Sequence, residues 1–419
     1  MYKYDVVVAG AGPAGISAAV EAARSGAKVA VIERYGCVGG NLTVGYVGPL
    51  LGGVCAGTIA EEIEARICPA VGLVPDFEKA KIELTAMLED AGVDVFLQTV
   101  VTGADMDGEH LKSVSTHGKF GQLEFAADLF IDATGDGDLA VLCGCPWERG
   151  RGSDKLLQPV SLMFVIDGVD PEQKLLCCHE EHYTDLGDGR EYLDLCHRAC
   201  VSGELPENVN IVRLYQTGNP TERMVNATQE NYIDPLDPID MAKAENALRR
   251  QIGQVVAFLR NNIPGFENIS VRGSASTVGV RESRRITGRY MLTGQDMLDQ
   301  KTYPDTVVHQ AGFCFDIHNP DGPGQSEDRE GCPISPPPYD IPFACMSPLG
   351  CENLITAGRC ISGTHMAHSS YRVMRICMAM GQAAGAAAKI MCDMGTTNET
   401  IDTDALRAHL MMRGVRLDA

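Results

Sequence analysis

The segment Gly10-Ala11-Gly12-Pro13-Ala14-Gly15 constrains this chain more than any other. It has the spacing G-x-G-x-x-G and lies between an apolar strand pattern, residues 4–9, and an alanine-rich helix pattern, residues 13–24. Gly10 permits the tight turn out of the strand. Gly12 lets a pyrophosphate approach the backbone, and Gly15 lets helix and strand pack closely. The helix opening at Pro13, with Ala14 behind it, offers free N–H groups and a partial positive charge to phosphates. A second apolar strand, residues 28–32, ends at Glu33, which is placed to accept hydrogen bonds from a ribose hydroxyl. Strand, loop, helix, strand and acid together predict a Rossmann-like dinucleotide site rather than a bare glycine turn.

Composition supports a cofactor reading of the glycines. There are 45 in 419 residues, twelve of them before residue 58, and no Gly-X-Y period. The excess therefore means local backbone geometry, not a fibrous or low-complexity chain. Thirty-five basic against 56 acidic residues leave a net charge of −21, which disfavours nucleic acid and anionic lipid as partners. No leader-like segment precedes the first strand, and the most apolar stretch, 376–392, is broken by Gln382 and Lys389. The expectation is a cytoplasmic protein without a membrane span, its sixteen cysteines mostly free thiols.

Further along, residues 77–91 read as an amphipathic helix, and 93–101, 111–116 and 122–126 as short strands. Residues 129–135 read as another buried strand ending in glycine, and 160–166 as a strand. Residues 238–261 make a long helix that Asp237 caps before Pro238. A Gly/Pro-rich loop, 319–338, suggests a boundary. It is followed by a strand-turn at 353–358 and a small-residue helix at 373–391. The expected organisation is a discontinuous dinucleotide domain (1–150 and 340–395), an inserted α+β substrate domain (151–339) and a helical tail (396–419).

Two segments favour a flavin over a nicotinamide nucleotide. Ala133-Thr134-Gly135-Asp136 ends a strand where it can return beside the dinucleotide. Ala357-Gly358-Arg359 ends another and precedes the Gly381-Gln382-Ala383-Ala384-Gly385 helix, whose small residues allow close approach to a flat cofactor. The helix N-terminus, near Val373 and Met374, suits negative charge on a reduced flavin.

These residues carry a resemblance. With Glu33-Arg34, Gly39-Gly40-Asn41 and Thr43, Gly135-Asp136-Gly137-Asp138 and the run 279–285, the chain resembles FAD-dependent oxidoreductases with a glutathione-reductase-type FAD domain. That group includes fumarate reductase flavoproteins and thiazole synthases. Asp316-Ile317-His318, residues 357–362, Arg372-Val373-Met374 and residues 381–385 extend the likeness over nearly the whole chain. The resemblance implies FAD and redox chemistry; it does not imply a substrate. No C-x-x-x-x-C pair follows Gly39-Gly40, and only one dinucleotide fingerprint exists, so electrons are expected to reach or leave the flavin directly. A small-molecule substrate is expected, with a redox partner protein or a quinone as a further electron partner, and a homo-oligomer is compatible. Cys37 could tether flavin, but a buried thiol is the plainer reading.

Candidate reacting groups are His318, His365 and His368 as acid or base, with Arg281 and Arg372 for substrate charge. Asp316 and His318 would share one face of a strand. Cys177, Cys178, His179, His182, Cys196, His197 and Cys200 lack the spacing of zinc or iron–sulfur sites, so no metal is expected. Hydride transfer between flavin N5 and a hydroxy acid, sugar-like alcohol or unsaturated acid fits these groups. A flavin monooxygenase, or a flavin-bearing electron-transfer subunit, stays open.

Overall fold

The computed structural model describes residues 1–70, 73–178, 184–186, 188–325 and 335–418. Strand β1 (Tyr2–Ala9) buries both faces of its apolar run, as a central parallel strand must. Helix α1 (Pro13–Arg24) crosses back, and β2 (Val29–Ile32) pairs parallel with β1. Helices α2 (Ile59–Ile67) and α3 (Phe77–Asp90) follow. Asp76 caps α3 by accepting from the N–H groups of Glu78 and Lys79. Strand β3 (Asp94–Phe96) extends the parallel sheet beside β2.

Strands β4 (Val100–Asp107), β5 (His110–Gly118) and β6 (Gly121–Asp132) form an antiparallel meander. The early part of β6 pairs with β5, while residues 125–132 pair parallel with β1. The two runs expected at 122–126 and 129–135 are thus one long strand joining the parallel and antiparallel parts of a single sheet.

Helix α4 (Asp138–Leu142) and β7 (Trp147–Arg149) lead away from this sheet. A second sheet then assembles from β8 (Phe164–Asp167), β9 (Arg213–Gln216), β10 (Arg223–Asn226) and β11 (Ser270–Ser274), in the order β11-β8-β10-β9. Helices α5 (Tyr192–Ser202) and α6 (Pro238–Asn262) share its core, where Phe164, Ile166, Leu214 and Val225 join Leu248, Val255 and Leu259. The ladder of β8 begins only at Phe164. Val160 and Ser161 make isolated bridges to Glu230 and Gly279 instead.

Strand β12 (Arg284–Ile286) returns to pair with β7. Helix α7 (Gly294–Leu298) and the pair β13 (Thr306–Ala311) and β14 (Tyr339–Pro342) come next. Their Met297, Val307, Val308 and Ile341 pack into the core under β1 and α1, not into that of the second sheet. Strand β15 (Leu354–Thr356) then joins β6 in parallel, and α8 (His365–Tyr371), α9 (Met374–Met394) and α10 (Thr403–Met412) complete the chain. Helix α10 packs against α9, and the side chains of His409 and Arg413 reach the buried carboxylate of Glu21 on α1.

The contact between α1 and α9 positions the site. A Cβ on Gly381 would lie 2.0 Å from the Ala14 carbonyl oxygen, and one on Gly385 2.2 Å from that of Ala18. These glycines let two helix backbones touch, rather than facing a cofactor as the sequence suggested. Small-residue stripes serve both purposes, and here the helix neighbour claims them.

Candidate active site

One large cleft runs from the β1–α1 loop to the edge of the second sheet, enclosing about 1670 Å³ of space, part of it continuous with solvent.

At one end, Gly10, Gly12, Pro13 and Ala14 line the cleft. Gly10 adopts φ +94°, and a side chain there would also strike the backbone of Ala133. Gly15 lies behind the loop, where a Cβ would sit 1.8 Å from the Gly10 carbonyl oxygen. Gly12 differs: its φ is an ordinary −76°, and a Cβ there would meet no protein atom within 4 Å. Its Cα faces empty cleft. Among the described residues no side chain caps α1, and its first residues, Pro13 and Ala14, border that space.

Glu33 is buried at the end of β2, its two oxygens accepting from the Ala11 N–H (2.7 Å) and the Tyr35 N–H (2.8 Å). Burial raises its carboxyl, and those two N–H groups offset part of the rise. Since a carboxylate has about four acceptor positions, it keeps capacity for a hydroxyl in the cleft it lines. Arg34, Gly40 and Asn41 line the same part, whereas Gly39 and Thr43 support the turn from behind, Thr43 donating to the Val38 carbonyl at 2.6 Å.

The far wall comes from distant sequence. Ala133, Thr134 and Gly135 face the cleft, as do Gly358 and Arg359. Asp132, fully buried at the end of β6, holds this turn by accepting from the Thr134 hydroxyl and from the N–H groups of Thr134 and Ala140. Burial pushes its pKa up to about 6. Asp136 sits behind the wall and fixes Arg359 at 2.7 Å. Val373 and Met374 bring a second uncapped helix N-terminus, that of α9, to the cleft.

The other end is polar and cationic, with Arg281, Asp316, His318 and Arg372 all lining it. Residues 314–317 form no strand, yet Asp316 and His318 still meet: Asp316 Oδ1 lies 3.5 Å from His318 Nε2. Asp316 Oδ2 accepts from Arg372 at 2.8 Å, and Gln325 donates to Oδ1 at 2.8 Å. Burial would raise the Asp316 carboxyl, but the His318 ring and the charges of Arg372 and Arg213 outweigh it, holding it well below the usual range. Burial, then the Arg281 charge, push His318 down to about 3, so the ring is neutral at pH 7. Arg281 is pushed down to about 9 by burial and by Arg372, and stays cationic at neutral pH. Its Nη1 donates to the Pro159 carbonyl (2.8 Å), and among the described residues no carboxylate lies within ion-pair distance of it.

His365 and His368 lie outside the cleft lining. The His365 Nδ1 is 2.9 Å from Glu282, a fully buried carboxylate that also pairs with Arg285. His368 is fully buried, and neither ring nitrogen has a hydrogen-bond partner among the described residues. Burial foremost, then the Arg285 charge, hold its pKa well below the usual histidine range. The dense run 281–285 is therefore divided: Arg281 serves the cleft, Arg284 pairs with Asp138, and Arg285 pairs with Glu282. Sequence reasoning missed Tyr215 and Asn226, which line the cleft from the second sheet, and Ser161 and Met163, which line it from the segment leading into β8. The alternation of Ser161 and Met163 was a usable signal, but nothing marked Tyr215 or Asn226. His179 and His182 lie outside the described residues; among those described, no group of three His, Cys, Asp or Glu could hold a metal.

A glycine loop shaped for phosphate, an acid beside it and a second helix N-terminus over the same cleft define a dinucleotide-binding α/β enzyme. Residues 5–410 match the FAD dependent oxidoreductase family, and the chain belongs to it. The soluble pyridine nucleotide transhydrogenase of Hahella chejuensis (strain KCTC 2396) is 64% identical over 42 residues, 10% of this chain and 9% of that protein. The enzyme of the same name from Ectopseudomonas mendocina (strain ymp) is 58% identical over 43 residues, again 10% and 9%. The chain thus matches under a tenth of these relatives' length. A geranylgeranyl bacteriochlorophyll reductase-like protein from Thermoplasma acidophilum shares the fold. Its TM-score is 0.50 at 13% identity, covering 100% of this chain and 85% of that one. Among the described residues no helix is long and apolar enough to cross a membrane.

Proposed function

We propose that the enzyme transfers a hydride between FAD and a small polar metabolite, with His318 moving the proton and Arg281 and Arg372 holding substrate charge. One observation carries this reading: the glycine loop and the Arg281–Asp316–His318–Arg372 group line the same cleft. When bound, FAD supplies a two-electron acceptor or donor of hydride at N5. The residues that would hold it are Gly10, Gly12, Pro13 and Ala14 at the phosphates and Glu33 at a ribose. Arg34, Gly40, Asn41, Thr134, Gly135, Gly358 and Arg359 would lie along its length, with Val373 and Met374 at the flavin end. The empty space over Gly12 and the uncapped N-terminus of α1 fit that assignment.

Asp316 orients His318 and keeps it in one tautomer, since an N–H facing a carboxylate leaves the other ring nitrogen as acceptor. The parallel order β3-β2-β1-β6-β15, with the antiparallel β4-β5 pair at its edge, supports a glutathione-reductase-type FAD domain. The separate cores support an inserted substrate domain that includes Val160, Phe164, Leu214, Leu248 and Val278, with Leu292, Val307, Phe315 and Ile341 on the FAD side.

An anaerobic screen tests the reading. FAD-loaded protein mixed with hydroxy acids, sugar-like alcohols and, after chemical reduction, unsaturated acids should lose or regain flavin absorbance with one class. Rapid NADPH oxidation coupled to oxygenation of an organic substrate would overturn it in favour of a monooxygenase.

A further inference from the structure

We propose that the substrate is a 2-hydroxy acid, its carboxylate seated on Arg281 and its hydroxyl proton taken by His318. The inference rests on the hydride-transfer reading and deepens it. Three observations point to this class.

The first is a local charge imbalance. Arg372 is neutralised by Asp316 at 2.8 Å, whereas Arg281, only 9% exposed, makes one neutral hydrogen bond, to a backbone carbonyl. A buried cation without a counter-ion is costly, and a planar carboxylate in the cleft would both neutralise it and match its fork of donors. Asp316 acts on Arg281 only through space, and among the described residues no carboxylate forms an ion pair with it.

The second is the tautomer of His318. Asp316 is ionised and faces Nε2, so Nε2 carries the hydrogen and Nδ1 is a lone-pair acceptor. An acceptor suits removal of a hydroxyl proton. Protonating an unsaturated acid would require the opposite state.

The third is proximity. Arg281 and His318 lie side by side in two linings, the cleft itself and a smaller polar chamber behind it that Asn210 and Asn226 also bound. The Arg281 charge also acts on the His318 ring, so one small molecule can present a carboxylate to the first and a hydroxyl to the second. The Asn210 Oδ1 is buried, with no hydrogen-bond partner among the described residues.

The step balances. The C2–H bond breaks with its electron pair leaving as hydride to the bound FAD. The O–H bond breaks with its proton passing to His318 Nδ1, and a C=O bond forms. The 2-hydroxy acid is oxidised to a 2-oxo acid, and FAD is reduced by two electrons.

The test uses oxalate, a planar mimic of a 2-oxo acid, titrated calorimetrically into the FAD-loaded protein. Oxalate should bind at least tenfold more tightly than acetate, and propane-1,2-diol should not compete. Arg281→Met should weaken oxalate at least tenfold, with FAD content unchanged, and Arg281→Lys should weaken it less. Equal binding of oxalate and the neutral diol in the wild-type protein would overturn the proposal, even if Arg281→Met failed to fold. So would oxalate affinity that survives Arg281→Met. Bleaching by neutral alcohols alone would sink the 2-hydroxy acid while leaving hydride transfer standing. Bleaching by no metabolite of any class would instead count against the hydride-transfer reading itself.

Discussion

Gly12→Val separates the cofactor from the fold. At Gly12 the backbone is ordinary (φ −76°, ψ −174°) and an added Cβ meets no protein atom within 4 Å. The apoprotein should therefore lose only the modest preference for glycine over valine at a helix N-cap, about 1 kcal/mol or less. The new side chain would instead occupy the space through which a pyrophosphate reaches the loop backbone. Losing that approach should weaken FAD by on the order of a hundredfold or more, about 3 kcal/mol. Gly15→Ala is the control, because its Cβ would lie 1.8 Å from the Gly10 carbonyl oxygen and must displace the loop itself. Its cost belongs with the rare changes above about 4 kcal/mol. The assay pairs FAD released on denaturation with thermal unfolding of the apoproteins. Gly12→Val should purify colourless with a nearly unchanged apoprotein Tm, and Gly15→Ala should lose both. Full FAD retention in Gly12→Val, or an apoprotein Tm as low as that of Gly15→Ala, would refute the reasoning.

Gly381→Ala, with its Cβ 2.0 Å from the Ala14 carbonyl oxygen, should push α9 from α1 and lower Tm and FAD content together. His318→Gln should slow flavin reduction by roughly 10²–10⁴-fold at unchanged FAD content. His365→Gln, behind the cleft, should mainly cost about 1–3 kcal/mol of stability by breaking its contact with buried Glu282, read as a drop in Tm. Asp132 carries a pH signature. Its folded pKa, about 6, lies above the unfolded value, so the native state holds its proton more tightly. Its contribution to stability is therefore fullest below about pH 4 and is lost as pH rises to about 6. Asp132→Asn should remove that component from a Tm-against-pH profile, and an unchanged slope would contradict the assignment.

Much of the cofactor half was legible because its signals are local. Residues 13–24 read as the helix they form, since Pro13 marks the start and the alanines leave no competing structure. Glu33 was legible from its distance to the loop. The long strand Gly121–Asp132 was read as two because Ala126, Ala127 and Asp128 interrupt its apolar run, while its continuity depends on pairing with β1 and β5. The juxtaposition of Asp316 and His318 was expected for a reason the fold does not use. Their backbone is irregular, and one oxygen of Asp316 meets the His318 ring while the other pairs with Arg372 at the end of α8. His365, His368 and His318 are equivalent as sequence. Only the partners separate them: a buried Glu282 for the first, none among the described residues for the second, and a cleft-facing Asp316 for the third. Gly381 and Gly385 show the same ambiguity, because close approach by a helix and by a flat cofactor select the same small residues.

A crystal structure of the FAD-loaded protein tests the central claim most directly. The account predicts electron density for FAD filling the cleft from the Gly12 loop toward α9, with the flavin end bordering the chamber that contains Arg281 and His318. Density placing the flavin end away from that chamber, with Arg281 and His318 walled off from it, would contradict the account.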